Sequence, residues 1–253
     1  MLVQSVIAAV AAVALVAIAA LVFRRFGKDD GAPDGATANH AGAMLSALFL
    51  LVFAIAIIVP WTWTDDARKN TYAEAQSLAE AYWAAKDLPA DDTQAVRSSV
   101  TDYLHFVITT EWPYMGAHHK LAAAGWTRLD TLRLRLDSID VKGNDDLKDA
   151  RDAVVGDLRD AYAARRQRGF DADTTLPTVV LVFTVLTGLV MIVFPFLAGA
   201  RPRGMTIVPL GVMAAMLGVS IYLVFDINQV FSGALAVGPT AFKSALQELT
   251  RIG

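Results

Sequence analysis

Four stretches of the chain, residues 1–23, 41–64, 174–200 and 204–225, carry no Asp, Glu, Lys, Arg or His. Each is long enough for a helix to cross the ~30 Å hydrocarbon layer, which takes about 20 apolar residues. Over that length only a helix satisfies its own backbone in lipid. The pattern predicts an all-α membrane protein with four transmembrane helices in two hairpins, 1–64 (spans about 2–23 and 44–64) and 174–225. The first stretch reads as a retained span, because Arg24, Arg25 and Lys28 follow its apolar run, where a signal peptide has its charge in front. A Gly/Ala/Asp/Asn-rich connection, 31–42, joins the first pair; Arg201-Pro202-Arg203 alone joins the second and makes those spans antiparallel neighbours. Pro195 should bend the third span, and Gly188, Gly211 and Gly218 permit close helix approach.

Between the hairpins, 65–173, the pattern turns amphipathic and predicts a helical extramembrane domain. Tyr72, Ala75, Ala79, Tyr82 recur at three- and four-residue steps, as do Val96, Val100, Tyr103, Val107. Leu129, Leu132, Leu136, Ile139 and Leu147, Val154, Leu158, Ala161 complete four runs. Leu88-Pro89, Trp112-Pro113 and Lys142-Gly143-Asn144 punctuate them, with Asn144 as the N-cap of the last. The first run is expected to continue directly from the second span. The segment 132–136 alternates like a strand, but its neighbours hold the helical period. In the tail, 226–253, Pro239 opens a short helix. Its apolar face, Phe242, Ala245, Leu246 and Leu249, should dock on the helical domain or on a neighbouring subunit.

Composition sharpens this division. Of 25 acidic and 22 basic residues, 20 and 15 lie between positions 61 and 176, so the remainder is strongly apolar. A net charge of −3 leaves no basic stripe for nucleic acid. The absence of cysteine excludes disulfides and thiolate chemistry. Basic residues flanking the spans divide evenly: Arg24, Arg25, Lys28, Arg201 and Arg203 on the hairpin joints, Arg68, Lys69, Arg165, Arg166 and Arg168 on the central domain. Charge following the first span leans the N-terminus outside.

Candidate chemistry is sparse, and the expectation is a protein that is not an enzyme, with no catalytic, cofactor or metal site. His118-His119 are adjacent and point about 100° apart, so they cannot share a metal as residues one turn apart do. His105 is expected to be packed or capped. Glu74 and Glu111 could be paired buried carboxylates, but solvated charge at helix ends is the expected reading. The Asp-rich segment 144–160 lacks the ligand order of a calcium loop. The spans hold none of the ionisable groups that mark proton or ion relays; a passive pore with a hydrophobic constriction remains open to them.

Three motifs carry a family resemblance. Trp61, then Asp65-Asp66-Ala67-Arg68 and Glu74-Ala75, resemble the exit from the second span in the bestrophin-like domain family of bacterial and plant membrane proteins. Glu111-Trp112-Pro113 is similar to its Glu-Trp-Pro element. Asp226 with Phe231-Ser232-Gly233, Pro239, Phe242 and Ala245-Leu246 resembles its closing segment. Two positions depart: Thr62 stands where the family usually has an acidic residue, and Asn228-Gln229-Val230 where it usually reads Asp-Arg-Pro.

The resemblance implies kinship with pentameric anion channels that have a hydrophobic neck and a helical cytoplasmic domain, against the orientation from charge. It implies a homo-oligomer in the plasma or inner membrane, with lipid and small inorganic anions as partners and Phe53, Ile57 and Trp61 as pore-lining candidates. The alternative is a non-conducting sensor or scaffold whose helical domain binds a ligand or partner protein.

Overall fold

The computed structural model describes residues 2–26, 35–200 and 204–252, and among them every regular element is helical. The α-helices are α1 (Leu2–Phe26), α2 (Gly35–Ala84), α3 (Ala90–Phe106), α4 (Trp112–His118), α5 (Ala123–Asp137), α6 (Asp145–Asp173), α7 (Thr178–Leu197), α8 (Ile207–Ile227) and α9 (Thr240–Ile252). Four stretches, in α1, α2, α7 and α8, are long and apolar enough to cross a membrane, and the protein is a multi-pass membrane protein. The chain divides into two compact units: a membrane unit of Met1–Trp61 and Thr175–Gln229, and a helical unit of Thr62–Thr174 and Val230–Gly253.

In the membrane unit, α1 lies along α8 and α7, and α7 lies along α8. The closest approach is at Gly218, where an added Cβ would stand 2.6 Å from the Ala8 carbonyl oxygen and 2.9 Å from the Ala12 methyl. Small residues at such a crossing let backbones meet, which matters in lipid because apolar burial gives no drive between helices there. The start of α2 seats on α7: Phe49 lies 3.6 Å from the place a Gly188 Cβ would take, and the Ser46 hydroxyl donates to Gly42 O at 2.9 Å. Pro195 falls in the last turn of α7 and so marks the end of that helix. The unanticipated interior proline is Pro60, inside the 50 residues of α2. Between Asp173 and Thr178 the backbone leaves the helix, and Leu176 N donates to Asn228 Oδ1 at 2.6 Å. The Asn228 amide oxygen thus supplies an acceptor to a backbone N–H freed where the helix breaks.

In the helical unit the apolar runs form the core. Val96, Val100, Tyr103, Val107, Leu129, Leu132, Leu136, Val154, Leu158 and Ala161 are all buried. Asn144 caps α6 by accepting from Leu147 N at 3.0 Å, after a turn in which Gly143 takes φ 72°. Residues 132–136 are helical, within α5. Phe242, Ala245 and Leu249 bury the inner face of α9, which lies along α3.

Two expectations need correction. Tyr72 is 49% exposed; the buried face of α2 runs instead through Ala67, Thr71, Glu74, Ala75 and Leu78. Trp112-Pro113 does not break the chain. α3 passes through a π-turn, Val107–Glu111, straight into α4, which ends at His119 with φ 55°. Buried positions 103, 107, 111 and 115 are four apart, so on a 3.6-residue helix they would drift round the axis. The wider turn takes up that drift.

Candidate functional site

The helical unit is built around a knot of four charges. Glu74 of α2, Glu111 of the π-turn, and Arg165 and Arg168 of α6 are each 0% exposed, and Tyr103 of α3 joins them. Glu111 accepts from Arg165 through both oxygens, Nη2 to Oε1 at 2.6 Å and Nη1 to Oε2 at 2.7 Å. Its Oε2 also accepts from Arg168 Nη2 at 2.9 Å, and its Oε1 from Ala122 N at 3.1 Å. Arg168 grips Glu74 in the same forked way, Nε to Oε2 at 2.7 Å and Nη2 to Oε1 at 3.0 Å. The Tyr103 hydroxyl closes the circuit, donating to Glu74 Oε1 at 2.6 Å and accepting from Arg165 Nη1 at 2.7 Å.

Local structure places each member. Leu158 and Ala161 set the buried stripe of α6, and four residues after Ala161 the same face reaches Arg165, then Arg168 and Ala172. The π-turn brings Glu111 and Trp112 inward side by side. Gly125, at the start of α5, is a requirement of the site, because a Cβ there would collide with the Arg165 guanidinium. Aromatic faces complete the housing: Arg165 lies 4.6 Å from the Trp126 ring centroid, and Arg168 lies 5.3 Å from Phe242 and 5.7 Å from Trp112. Among the described side chains, one buried atom is left without a hydrogen bond, Arg165 Nε.

The electrostatics follow from this packing. Two carboxylates and two guanidiniums sum to zero, the condition under which charge can be held out of water. Burial penalises the Glu111 carboxylate, yet the Arg165 hydrogen bonds and both guanidinium charges outweigh it and hold its carboxyl below the ordinary range. Burial, then the Glu74 charge, pushes the Tyr103 hydroxyl well up, so it stays protonated as a donor. Arg165 and Arg168 are also raised: burial disfavours their charge, and the carboxylates more than restore it. No member of the knot reaches solvent, so its chemistry is internal: it ties α2, α3, the π-turn and α6 together through forked, charge-assisted bonds.

The structure separates the sequence candidates. Glu74 and Glu111 are buried and paired, which corrects the expectation of solvated helix-end charge; two arginines supply the compensation that solvent would otherwise give. Those arginines, Arg165 and Arg168, had been counted as flanking charge, and of that trio only Arg166 is exposed. Trp112 joins the knot's outer wall, its Nε1 donating to Val237 O at 3.2 Å and its ring meeting Phe231 edge-on at 5.4 Å. Pro113 is exposed in the first turn of α4, Ser232 is half-buried, and Gly233 turns with φ 94°. Asp66 and Arg68 lie outside the knot, in an exposed ladder where Lys69 meets Asp65 at 2.7 Å and Asp66 at 3.2 Å, and Arg68 meets Asp65 at 3.7 Å. Asp226 accepts from Tyr222 at 3.2 Å, within α8.

In the membrane unit Phe53 is half-buried and stacks on Phe49 at 5.7 Å, Ile57 is half-buried, and Trp61 is 57% exposed. His105, expected to be packed or capped, is exposed and so not packed; it sits on the outer side of α3 beside Thr109. His118 stacks on Tyr114 at 4.2 Å. Among the described residues no three His, Cys, Asp or Glu groups come together as a metal site would need.

Tyr103, Arg165, Arg168, Trp126, Phe242 and the π-turn had not been read as parts of one site. For Arg165 and Arg168 the signal was periodicity continuing through charged letters: 154, 158, 161, 165, 168 and 172 keep steps of three and four.

Comparison with known proteins adds one finding. No curated protein and no solved structure matches the chain. The family model described as the bestrophin-like domain matches residues 8–242, a range that takes in every member of the knot and reaches Phe242. That match covers nearly the whole sequence and both units, and the chain belongs to the bestrophin-like domain family.

Proposed function

We propose that the protein is a passive, oligomeric ion channel for small anions, with α2 lining the pore and a hydrophobic constriction in the membrane. The observation that carries this reading is the two-sidedness of α2. One side is buried along the helix, through Phe49, Ala56, Pro60, Thr64, Ala67, Thr71, Glu74 and Leu78. On the other side Leu51, Ile55, Ile58 and Trp61 are uncovered and apolar. Such a face suits a shared axis between subunits, where an apolar ring gates by dewetting. Family membership supports the same reading by analogy. Of the three candidates from the sequence, Trp61 keeps its place best, since Phe53 is half taken up by its stack on Phe49. The reading includes a ring of about five subunits and no enzymatic step.

The test is anion flux into liposomes holding the purified protein, with I58S and W61A beside the natural chain. A channel gives flux above protein-free liposomes, and I58S raises it by wetting the constriction. A preparation that is silent across pH and salt, and monomeric or dimeric by mass, overturns the reading in favour of a non-conducting sensor or scaffold.

A further inference from the structure

A groove in the membrane unit lies apart from the knot and from the α2 face assigned above to the pore, and the inference from it stands whether or not the protein conducts. Phe49 and Leu50 of α2 form one wall, Val212 and Met216 of α8 the other, and Met191 and Met213 lie deeper between them. Its volume is about 780 Å³. The groove is open along one side, so within a bilayer it is filled from its surroundings. Water is a poor occupant, because it needs two to four polar partners; the lining side chains are apolar apart from two hydroxyls, Ser46 and Ser220, and Ser46 already donates to Gly42 O. The rim belongs to the lipid-facing surface: Leu50 is 63% exposed and Met216 68% exposed. Along α8 the groove runs from Val208 to Ser220, roughly 18 Å at the rise of a helix. That is close to half of the ~30 Å hydrocarbon layer, the depth of one leaflet. Its lining starts at Val208, in the first turn of α8 and so at the end that follows α7 in the chain.

We propose that this groove holds one phospholipid acyl chain, drawn from the leaflet on the side of the α7–α8 joint. A second copy of the chain fits it less well. Helices associate in lipid through small residues that let backbones approach, and the small-residue seam here, Gly218 against Ala8 and Ala12, is used inside the subunit. The groove instead offers Met191, Met213 and Met216, whose unbranched thioethers adapt to a flexible chain.

The test uses the full-length protein in phosphatidylcholine vesicles containing a trace of phosphatidylcholine with a diazirine in mid-chain. After irradiation, adducts are mapped by peptide mass spectrometry. A resident chain labels Met191 and Met213 several-fold more than Ile7, which is 60% exposed on α1 and meets only passing lipid. Filling the groove with M213W, or more mildly with S46L, removes the Met191 label and leaves that of Ile7 unchanged. Labelling of Met191 no greater than that of buried Ile192, or unchanged when the groove is filled, overturns the proposal. So does efficient disulfide formation between copies carrying Val212→Cys, which would place a second subunit in the groove.

Discussion

The two units are both bundles of helices, yet opposite devices hold them. The membrane unit brings α1 and α8 together over Gly218, Ala8 and Ala12, with no charged group in its apolar cluster. The helical unit encloses two carboxylates and two guanidiniums at its centre. The solvent outside explains the difference. In hydrocarbon a buried charge has nothing to offset its desolvation, and close backbone contact is what remains to favour association. In water, apolar burial supplies the drive for folding, and a fully paired knot adds direction, since its forked bonds accept only one arrangement of the four segments.

The comparison breaks first at the knot. R168A strands Glu74 and part of Glu111 without compensation, and the expected loss is about 3–5 kcal/mol of helical-unit stability, read from thermal or denaturant melts followed by circular dichroism. R168K restores the charge but not the fork, so its melt should fall between R168A and the natural chain; full rescue would show that charge alone matters.

Acid probes the same knot without a mutation. Because the folded-state pKa of Glu111 is depressed, its contribution is complete above the ordinary carboxylate range and is lost as pH falls through the folded value. Fluorescence of Trp112 and Trp126, which flank the arginines, should therefore change below the ordinary carboxylate range and hold steady above it.

Next in size is the seam. G218A puts a methyl against the Ala8 carbonyl and should cost about 1–3 kcal/mol by overpacking, seen as earlier unfolding of the membrane unit in detergent while the knot's acid transition stays in place. N144A removes the cap of α6 and should cost about 1 kcal/mol, confined to the helical unit. Smallest of all is K69A, in the exposed ladder with Asp65 and Asp66, for which no measurable change in either melt is expected.

Much of the architecture was legible because lipid and water each impose a pattern on the letters. The uncharged runs mark the spans, and the apolar steps of α3, α5 and α6 mark faces that are buried in the structure. The knot was hidden by the same rule. An arginine or glutamate in a stripe reads as solvated, and nothing local says that its partner lies elsewhere in the chain: Arg168 finds Glu74 across 94 positions, and Arg165 finds Glu111 across 54. Tyr72 failed for a related reason. An amphipathic tyrosine tolerates either side of a helix, and the buried side of α2 was decided by Glu74 and Leu78.

The amino-acid sequence by itself determined four spans, a helical stretch between the second and third, and the Asn144 cap, because each follows from composition or from contacts within a turn or two. The π-turn, the pairing of Glu74 and Glu111 with Arg165 and Arg168, the need for Gly125 and the groove over Met191 were decided only when distant segments met. A buried charge is tolerable only beside its compensator, and a cavity exists only between surfaces that have already packed.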